Sequence, residues 1–464
     1  MQLSSFLNRS QVEEIHRNAL RVLAEVGVEV DHPALAGRLE GVGGAVDPVS
    51  NRVRFPASVV ENLIHSAPKT PPHAGAPRIS LGCSVYQCWY MDPITGDLAP
   101  FDEDLLARYF ALAHGLPGIE TTSMLGVPFI PEGIPARSLP LAERLYAWKH
   151  GATPAGSVQL THLCEPLLEM LAIHASHQGK TLEEVFNAGG FVISPLRLAR
   201  PECEQMLFFA ERGLRTWIGH LPSQGGAAPV TLAGTLVLAL AEQMFIFLLN
   251  QAMWGDASFG LGGMATTIDM RTGVALYGRP ERQRVNLAFA DIAAFYGCGS
   301  AGHTGTTDAH TPSCEAGVQK TVGVLATALA TGSASIEAGL LGIDEICSPL
   351  QLILDHDLGM CLRSLLAEPV IDSVECAFDE IAAVASSGNH LGTDFTLERF
   401  RSLFEARTWS NQLTGAWLAR GRKTDIDKAR DLVSDLMRTS QPVSHISEEE
   451  EIALRAVIAA VHSL

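Results

Sequence analysis

Short apolar runs recur along this chain at intervals long enough to hold a helix, and that rhythm restricts the fold more than any other feature. The runs lie near Thr121–Val127, Pro154–Val158, Phe191–Pro195, Thr216–His220, Ser258–Gly262, Phe295–Gly302, Ala334–Leu340 and Ala385–Leu391. Helical stretches fill the intervals, for example Ala136–His150, Cys164–Gln178, Cys203–Gly213, Thr231–Trp254, Arg282–Ala294, Cys314–Gly332 and Leu350–Leu366. Parallel strands need such a crossover, whereas tight turns join only antiparallel ones. Eight strands alternating with helices fit an α/β architecture, a closed (β/α)8 TIM barrel, better than an open doubly wound sheet.

The sharpest single unit spans Arg215–Trp254. Thr216-Trp217-Ile218-Gly219 is rich in β-branched and aromatic residues, as a buried strand requires. His220 ends it, a turn around Gly225-Gly226 follows, and Pro229 and Thr231 open a long apolar helix. Its apolar run Val230–Ala241 is too short to cross a membrane before Glu242 interrupts it. Upstream, Ser10–Val26 has helical spacing, with Ser10 as its cap and Gly27 closing it. The expected division is a helical and mixed extension over 1–105 packed on a barrel over 106–464. That barrel closes with two charged helices within Thr424–Leu464 around Pro442.

Charge excludes some functions. With 33 Lys and Arg against 51 Asp and Glu the formal charge is −18, which repels phosphates. A nucleic-acid or anionic-membrane partner is therefore not expected. Nine scattered cysteines without a CxxC pair suit reduced thiols in the cytoplasm. Hydrophobic residues make up 47% of the chain and charged ones 18%, enough for a large buried core.

In a barrel the chemistry gathers on loops after the strands. The polar residues there are Gln159, His220, His303 with Asp308 and His310, Glu337, and Asn389 with His390; Tyr296 stands at the start of the sixth run. The His303–His310 loop invites a zinc reading, but its spacing matches no standard ligand pattern, so no metal is expected. Gly297–Gly302 spells GxGxxG, yet loop residues follow where a dinucleotide site needs a helix. His356 and Asp357 are expected on a solvated helix face. The residues alone lead to a barrel enzyme with a mouth of histidine, glutamate and aromatic side chains.

Several stretches resemble the trimethylamine:corrinoid methyltransferase family in the family's order. They are Tyr90–Gly96 with Asp102–Leu106, Gly225–Gly234 with Glu242, the Gly302–Asp308 loop with Glu315, Gln351–Asp355, and Gly388–Gly392 with Thr396. The resemblance implies a TIM barrel that docks a cognate corrinoid protein carrying the cobalamin. It also implies in-line transfer of a methyl group from an amine to Co(I), and a homo-oligomer is expected. Members acting on trimethylamine carry pyrrolysine in the segment matching Leu341–Glu345, where this chain has only ordinary residues. The expected substrate is therefore a quaternary amine, glycine betaine or a related betaine, whose departing amine is neutral. The alternative is a non-catalytic or differently acting relative that binds a betaine-like quaternary ammonium ligand.

A quaternary cation needs aromatic faces and a carboxylate. The catalytic candidates under this resemblance are His303, Glu337 and His390. The substrate-binding candidates are Tyr86, Trp89, Tyr90, Gln159, His220, Phe259, Tyr296, Asn389 and Phe395.

Overall fold

The computed structural model describes residues 5–156, 160–386 and 388–461, so Gln159 lies outside the described residues. The chain folds into an α/β structure of parallel strands backed by helices. Arg78–Val85 pairs in parallel with Ser333–Glu337 on one side and with Thr121–Met124 on the other. Thr121–Met124 continues to Thr153–Pro154. Gly189–Val192 pairs with Trp217–His220, and Leu261–Gly263 with Ser300–Gly302, again in parallel.

These groups form separate sheets with narrower links between them. Gly189 N–H donates to the Gly156 carbonyl at 3.1 Å, and Thr304 Oγ1 to the Ser335 carbonyl at 2.6 Å. Ser223–Gln224 pairs with Thr266–Thr267 in parallel.

Period-two alternation positions the side chains. In Arg78–Val85, Ile79, Leu81, Cys83 and Val85 are buried in a core shared with Leu106 and Tyr109 of Glu103–His114 and Leu352 and Ile353 of Pro349–Leu366. Ser80, Gly82 and Ser84 alternate with them and occupy the other face. This strand lies inside the segment expected as an extension. Among its described residues the run Ala385–Leu391 forms no strand: a helix ends at Val384 and residues 388–391 are an exposed loop. Its small residues bury too little to hold a sheet position.

The first helix, Arg9–Arg21, is capped by Asn8 in a reciprocal box with Gln11 rather than by Ser10. Gly27 then turns the chain at φ +74° into a small sheet of Val28–Val30, Arg52–Arg54, Ala45–Asp47 and Arg197–Leu198. At the other end, Asp425–Thr439 and Glu448–Ala460 are helical as expected. Glu450 is buried against His174 Nδ1 at 2.7 Å, and Trp148 stacks on that imidazole at 4.0 Å.

Leu232–Trp254 is capped by Thr231, whose side chain accepts from Gly234 N–H. It is long and apolar enough to cross a membrane, but 72% of its most apolar window is buried inside the fold. Glu242 does not interrupt it toward solvent: its carboxylate is wholly buried. The carboxylate accepts from Leu196 N–H at 3.0 Å and Ser194 Oγ at 2.8 Å, and meets His220 Nδ1 at 3.1 Å. Glu242→Leu leaves the buried Leu196 N–H and His220 and the half-buried Ser194 hydroxyl without their partner. The expected loss is about 2–4 kcal/mol of unfolding free energy; an unchanged urea midpoint would sink this account.

His356 and Asp357 are also buried, not solvated. His356 Nε2 meets the Pro117 carbonyl at 2.7 Å, while Asp357 accepts from Thr408 N–H at 2.8 Å and its hydroxyl at 2.6 Å. His356 ties the helix Pro349–Leu366 to the Pro117 turn, and Asp357 ties to it the later segment that holds Thr408.

Candidate active site

Glu337 ends the strand Ser333–Glu337, beside the partner strand's Ser84. Ser84 Oγ donates to Glu337 Oε2 at 2.9 Å and meets Ser123 Oγ at 3.0 Å. Behind it, Lys320 of the helix Cys314–Thr331 is wholly buried. Its Nζ donates to the Glu337 carbonyl at 2.8 Å and to Asp355 Oδ2 at 2.6 Å. Asp355 also accepts from Gly339 N–H at 2.9 Å and Gln351 Nε2 at 2.8 Å. Burial pushes the Glu337 carboxyl up from its ordinary range, while Ser84, Lys320 and Arg282 pull it back.

Arg282, near the start of the helix Pro280–Tyr296, is only 1% exposed. Its Nη1 donates to Thr306 Oγ1 at 3.0 Å, and its guanidinium lies 4.5 Å over the Tyr277 ring. Nη2 faces His303 Nδ1. A guanidinium only donates, so Nδ1 accepts and the imidazole proton sits on Nε2. Burial and then the Arg282 charge push His303 down to about 3, so the ring is neutral at physiological pH.

The loop after Ser300–Gly302 lies directly on the neighbouring strand because Gly305 has φ +71° and no Cβ; an added Cβ would stand 2.6 Å from the Ser335 carbonyl. Asp308 fastens the loop to the chain ahead of Arg282, accepting from Tyr277 N–H at 2.6 Å and Gly278 N–H at 3.0 Å. A hairpin of Leu340–Leu341 and Ile346–Cys347 completes the wall. Its turn holds Gly342, Ile343 and Asp344 all left-handed, at φ +58°, +61° and +66°. Gly342 N–H and Ile343 N–H donate to the carbonyls of Ala309 and Thr307 at 2.8 and 3.1 Å.

Asp344, 9% exposed, is pushed up to about 7 by burial and then by Glu337, with Arg282 and Lys320 pulling back. Burial and the Asp344 charge raise both Tyr86 and Tyr277. Tyrosine rings, carboxylates, a guanidinium and a neutral imidazole therefore share one electrostatic neighbourhood. Such a set can face a cation with carboxylates and π-clouds while donating from His303 Nε2–H to an anion. Among the described residues, no three His, Cys, Asp or Glu side chains converge as a metal site.

Of the residues expected here, the structure brings together His303, Glu337 and Tyr86. Trp89 is half-exposed beside them, its backbone N–H donating to the Glu345 carbonyl at 2.8 Å. Tyr90 instead fills the core against Phe101 and Tyr109. His220 turns away into the helix layer toward Glu242, because it shares the face of Ile218, which packs on that core.

Phe259 and Tyr296 precede the strands Leu261–Gly263 and Ser300–Gly302, at the ends opposite His303. There they pack at 5.1 Å, and Tyr296 Oη meets His16 Nδ1 at 2.6 Å. Tyr296 belongs to the helix Pro280–Tyr296, which Gly297 closes at φ +67°. His390, Asn389 and Phe395 lie in a surface segment because Ala385–Leu391 is not a strand. His390 meets Glu380 at 3.1 Å, Asn389 accepts from Leu391 N–H at 3.0 Å, and Phe395 lies under Arg399 at 3.9 Å. Arg282, Tyr277, Lys320 and Asp344 were not among the expected site residues. Arg282 stands among Glu281, Gln283 and Arg284, so nothing local marked it, and Lys320 is marked only as the one cation of its helix.

Residues 1–109 and 153–462 match a family model described as trimethylamine methyltransferase (MTTB). The chain is similar to trimethylamine methyltransferase MttB of Methanosarcina barkeri, 25% identical, covering 93% of this chain and 90% of that one. It is similar to MttB of Desulfitobacterium hafniense at 22% identity, covering 96% and 91%. It also resembles a glycine betaine methyltransferase of Desulfitobacterium hafniense, at 25% identity over 88% of this chain and 87% of that one. A crystal structure of a hydroxylamine MtmB complex overlays with a TM-score of 0.48 at 12% identity, covering 93% of this chain and 89% of that chain.

Proposed function

Because the chain belongs to the trimethylamine methyltransferase (MTTB) family, we propose that it moves a methyl group from a quaternary amine to a corrinoid carried by a partner protein. The chain is a methyltransferase of that family; glycine betaine or a related betaine is the substrate class in this proposal. The observation that carries it is the grouping of Glu337, Tyr86 and His303 around Arg282 and Tyr277. Ordinary residues over Leu341–Glu345 agree with a substrate that brings its own leaving group.

In this reading Tyr86, Tyr277 and Glu337 hold the trimethylammonium head. His303 Nε2–H, fixed by Arg282, donates to the betaine carboxylate. A reduced corrinoid supplies the nucleophile when its carrier docks. The departing amine leaves neutral, so the site needs no general acid. Its work is orientation and exclusion of water.

We read the parallel strands as a (β/α)8 barrel that begins at Arg78, with the residues before it as the extension. Phe191 and Ile193, 39% and 47% exposed, alternate with the buried Val192 and present an apolar rim away from the helices. That rim suits a docked macrocycle and its carrier.

The test mixes the protein, a reduced corrinoid protein and glycine betaine, and follows the cobalamin spectrum. Methylated cobalamin is expected, with kcat/KM about 10²-fold lower for His303→Ala if it positions the carboxylate. Ligand binding without methyl transfer would favour the non-catalytic alternative. Transfer from none of several quaternary amines would overturn the proposal.

A further inference from the structure

Within the wall around Glu337, Asp344 is the side chain whose chemistry is least satisfied by the protein. It is 91% buried, since only 9% of it is exposed. Among the described residues its carboxylate takes part in no hydrogen bond or ion pair, unlike Glu337, Asp355 and Asp308 nearby. A carboxylate this enclosed, open to solvent only through a small remaining area, ordinarily has a donor or a cation. It is also held there at a cost. Ile343 and Asp344 are both left-handed, which is unfavourable for a β-branched residue in particular. Two hydrogen bonds to the Thr307–Ala309 loop and one from Trp89 to Glu345 clamp the turn. The surroundings that sense the Asp344 charge are the rings of Tyr86 and Tyr277, Glu337, and the cations Arg282 and Lys320. Both cations are already engaged, Lys320 by Asp355 and Arg282 by Thr306 and His303.

We infer that Asp344 is the specificity-determining counter-charge of this site, selecting a quaternary ammonium group over a neutral group of the same shape. The inference rests on the proposed function and deepens it. A quaternary ammonium has no N–H, so it wants a carboxylate that demands no hydrogen bond. It also wants aromatic faces, which Tyr86 and Tyr277 provide. A primary ammonium or a metal would want directional ligands, and three converging ligands are not found among the described residues.

Glycine betaine and 3,3-dimethylbutanoate have the same shape and carboxylate, and differ in the positive charge. Calorimetry with each, on wild type and Asp344→Asn, reads the role without any corrinoid. Asparagine tolerates the left-handed backbone, so the turn is kept; Asp344→Gly, free of that penalty, is the second variant if the first does not fold. Wild type is expected to prefer betaine by at least about 30-fold, and the variant to lose most of that preference. Betaine affinity of wild type should rise with pH as Asp344 ionises among Glu337, Arg282, Lys320, Tyr86 and Tyr277, and that rise should flatten in the variant. An unchanged preference ratio in both variants, with wild-type methyl transfer intact, overturns this inference and leaves the proposed function standing. A wild type that neither binds betaine nor transfers its methyl group overturns both.

Discussion

Lys320→Met is expected to lower the unfolding free energy by about 3–5 kcal/mol, because it strands a carboxylate in the core. Lys320 and Asp355 are 0% and 1% exposed at the side chain and 2.6 Å apart. Burial pushes the Asp355 carboxyl up, and Lys320 leads the groups that pull it back. Without the ammonium, Asp355 must take up a proton or stay charged in a dry place. The Glu337 carbonyl loses its donor as well. The double variant Lys320→Met with Asp355→Leu should recover part of the loss, since an apolar pair of similar volume needs no compensation. Urea unfolding of wild type, both singles and the double checks this. A Lys320→Met protein as stable as wild type would show that the pair contributes nothing.

The second large effect is a pH profile set by two opposed groups. Asp344 is raised to about 7 from an ordinary 3.8, so its folded-state advantage is full below about pH 4 and is lost as pH rises to about 7. His303 is lowered to about 3 from 6.5, so its contribution is full above pH 6.5 and is lost as pH falls toward 3. Each shift corresponds to roughly 4–5 kcal/mol at 1.36 kcal/mol per unit. Between about pH 4 and 6.5 the two nearly cancel, and wild-type stability should be flat there. Asp344→Asn removes one of them. That variant should gain on the order of 4 kcal/mol at pH 8 and grow steadily less stable from pH 6.5 downward. Denaturant midpoints at pH 4, 6 and 8 decide it; profiles that run parallel for the two proteins would refute the account.

What was legible in the sequence follows from which signals are local. Thr216–His220 and the Thr231 cap are written in a few adjacent residues, and the structure places both as expected. Arg78–Val85 was readable too, since Ile79, Leu81, Cys83 and Val85 alternate cleanly. A proline-rich neighbourhood and Gly82 masked that pattern, so this strand was left out of the expected set. His390 and Asn389 were then placed by a strand that does not exist.

Glu337 and His303 stood out because one ends a real strand and the other directly follows one. Arg282, Lys320 and Asp355 did not, because a charge in a helix ordinarily faces water. Only tertiary pairing shows that these three, like His356 and Asp357, point inward. Asp344 depends on a turn whose conformation two distant segments impose.

The pairing of Arg78–Val85 with Ser333–Glu337 also has a consequence during synthesis. One edge of the earlier strand is complete only when the later one has left the ribosome. At ~5–20 residues per second that wait is on the order of 10–50 s. Through it the chain carries an unpaired edge of alternating apolar residues, a template for wrong partners. Arg78 and the prolines just before it are the residues placed to keep that edge from being taken by another chain.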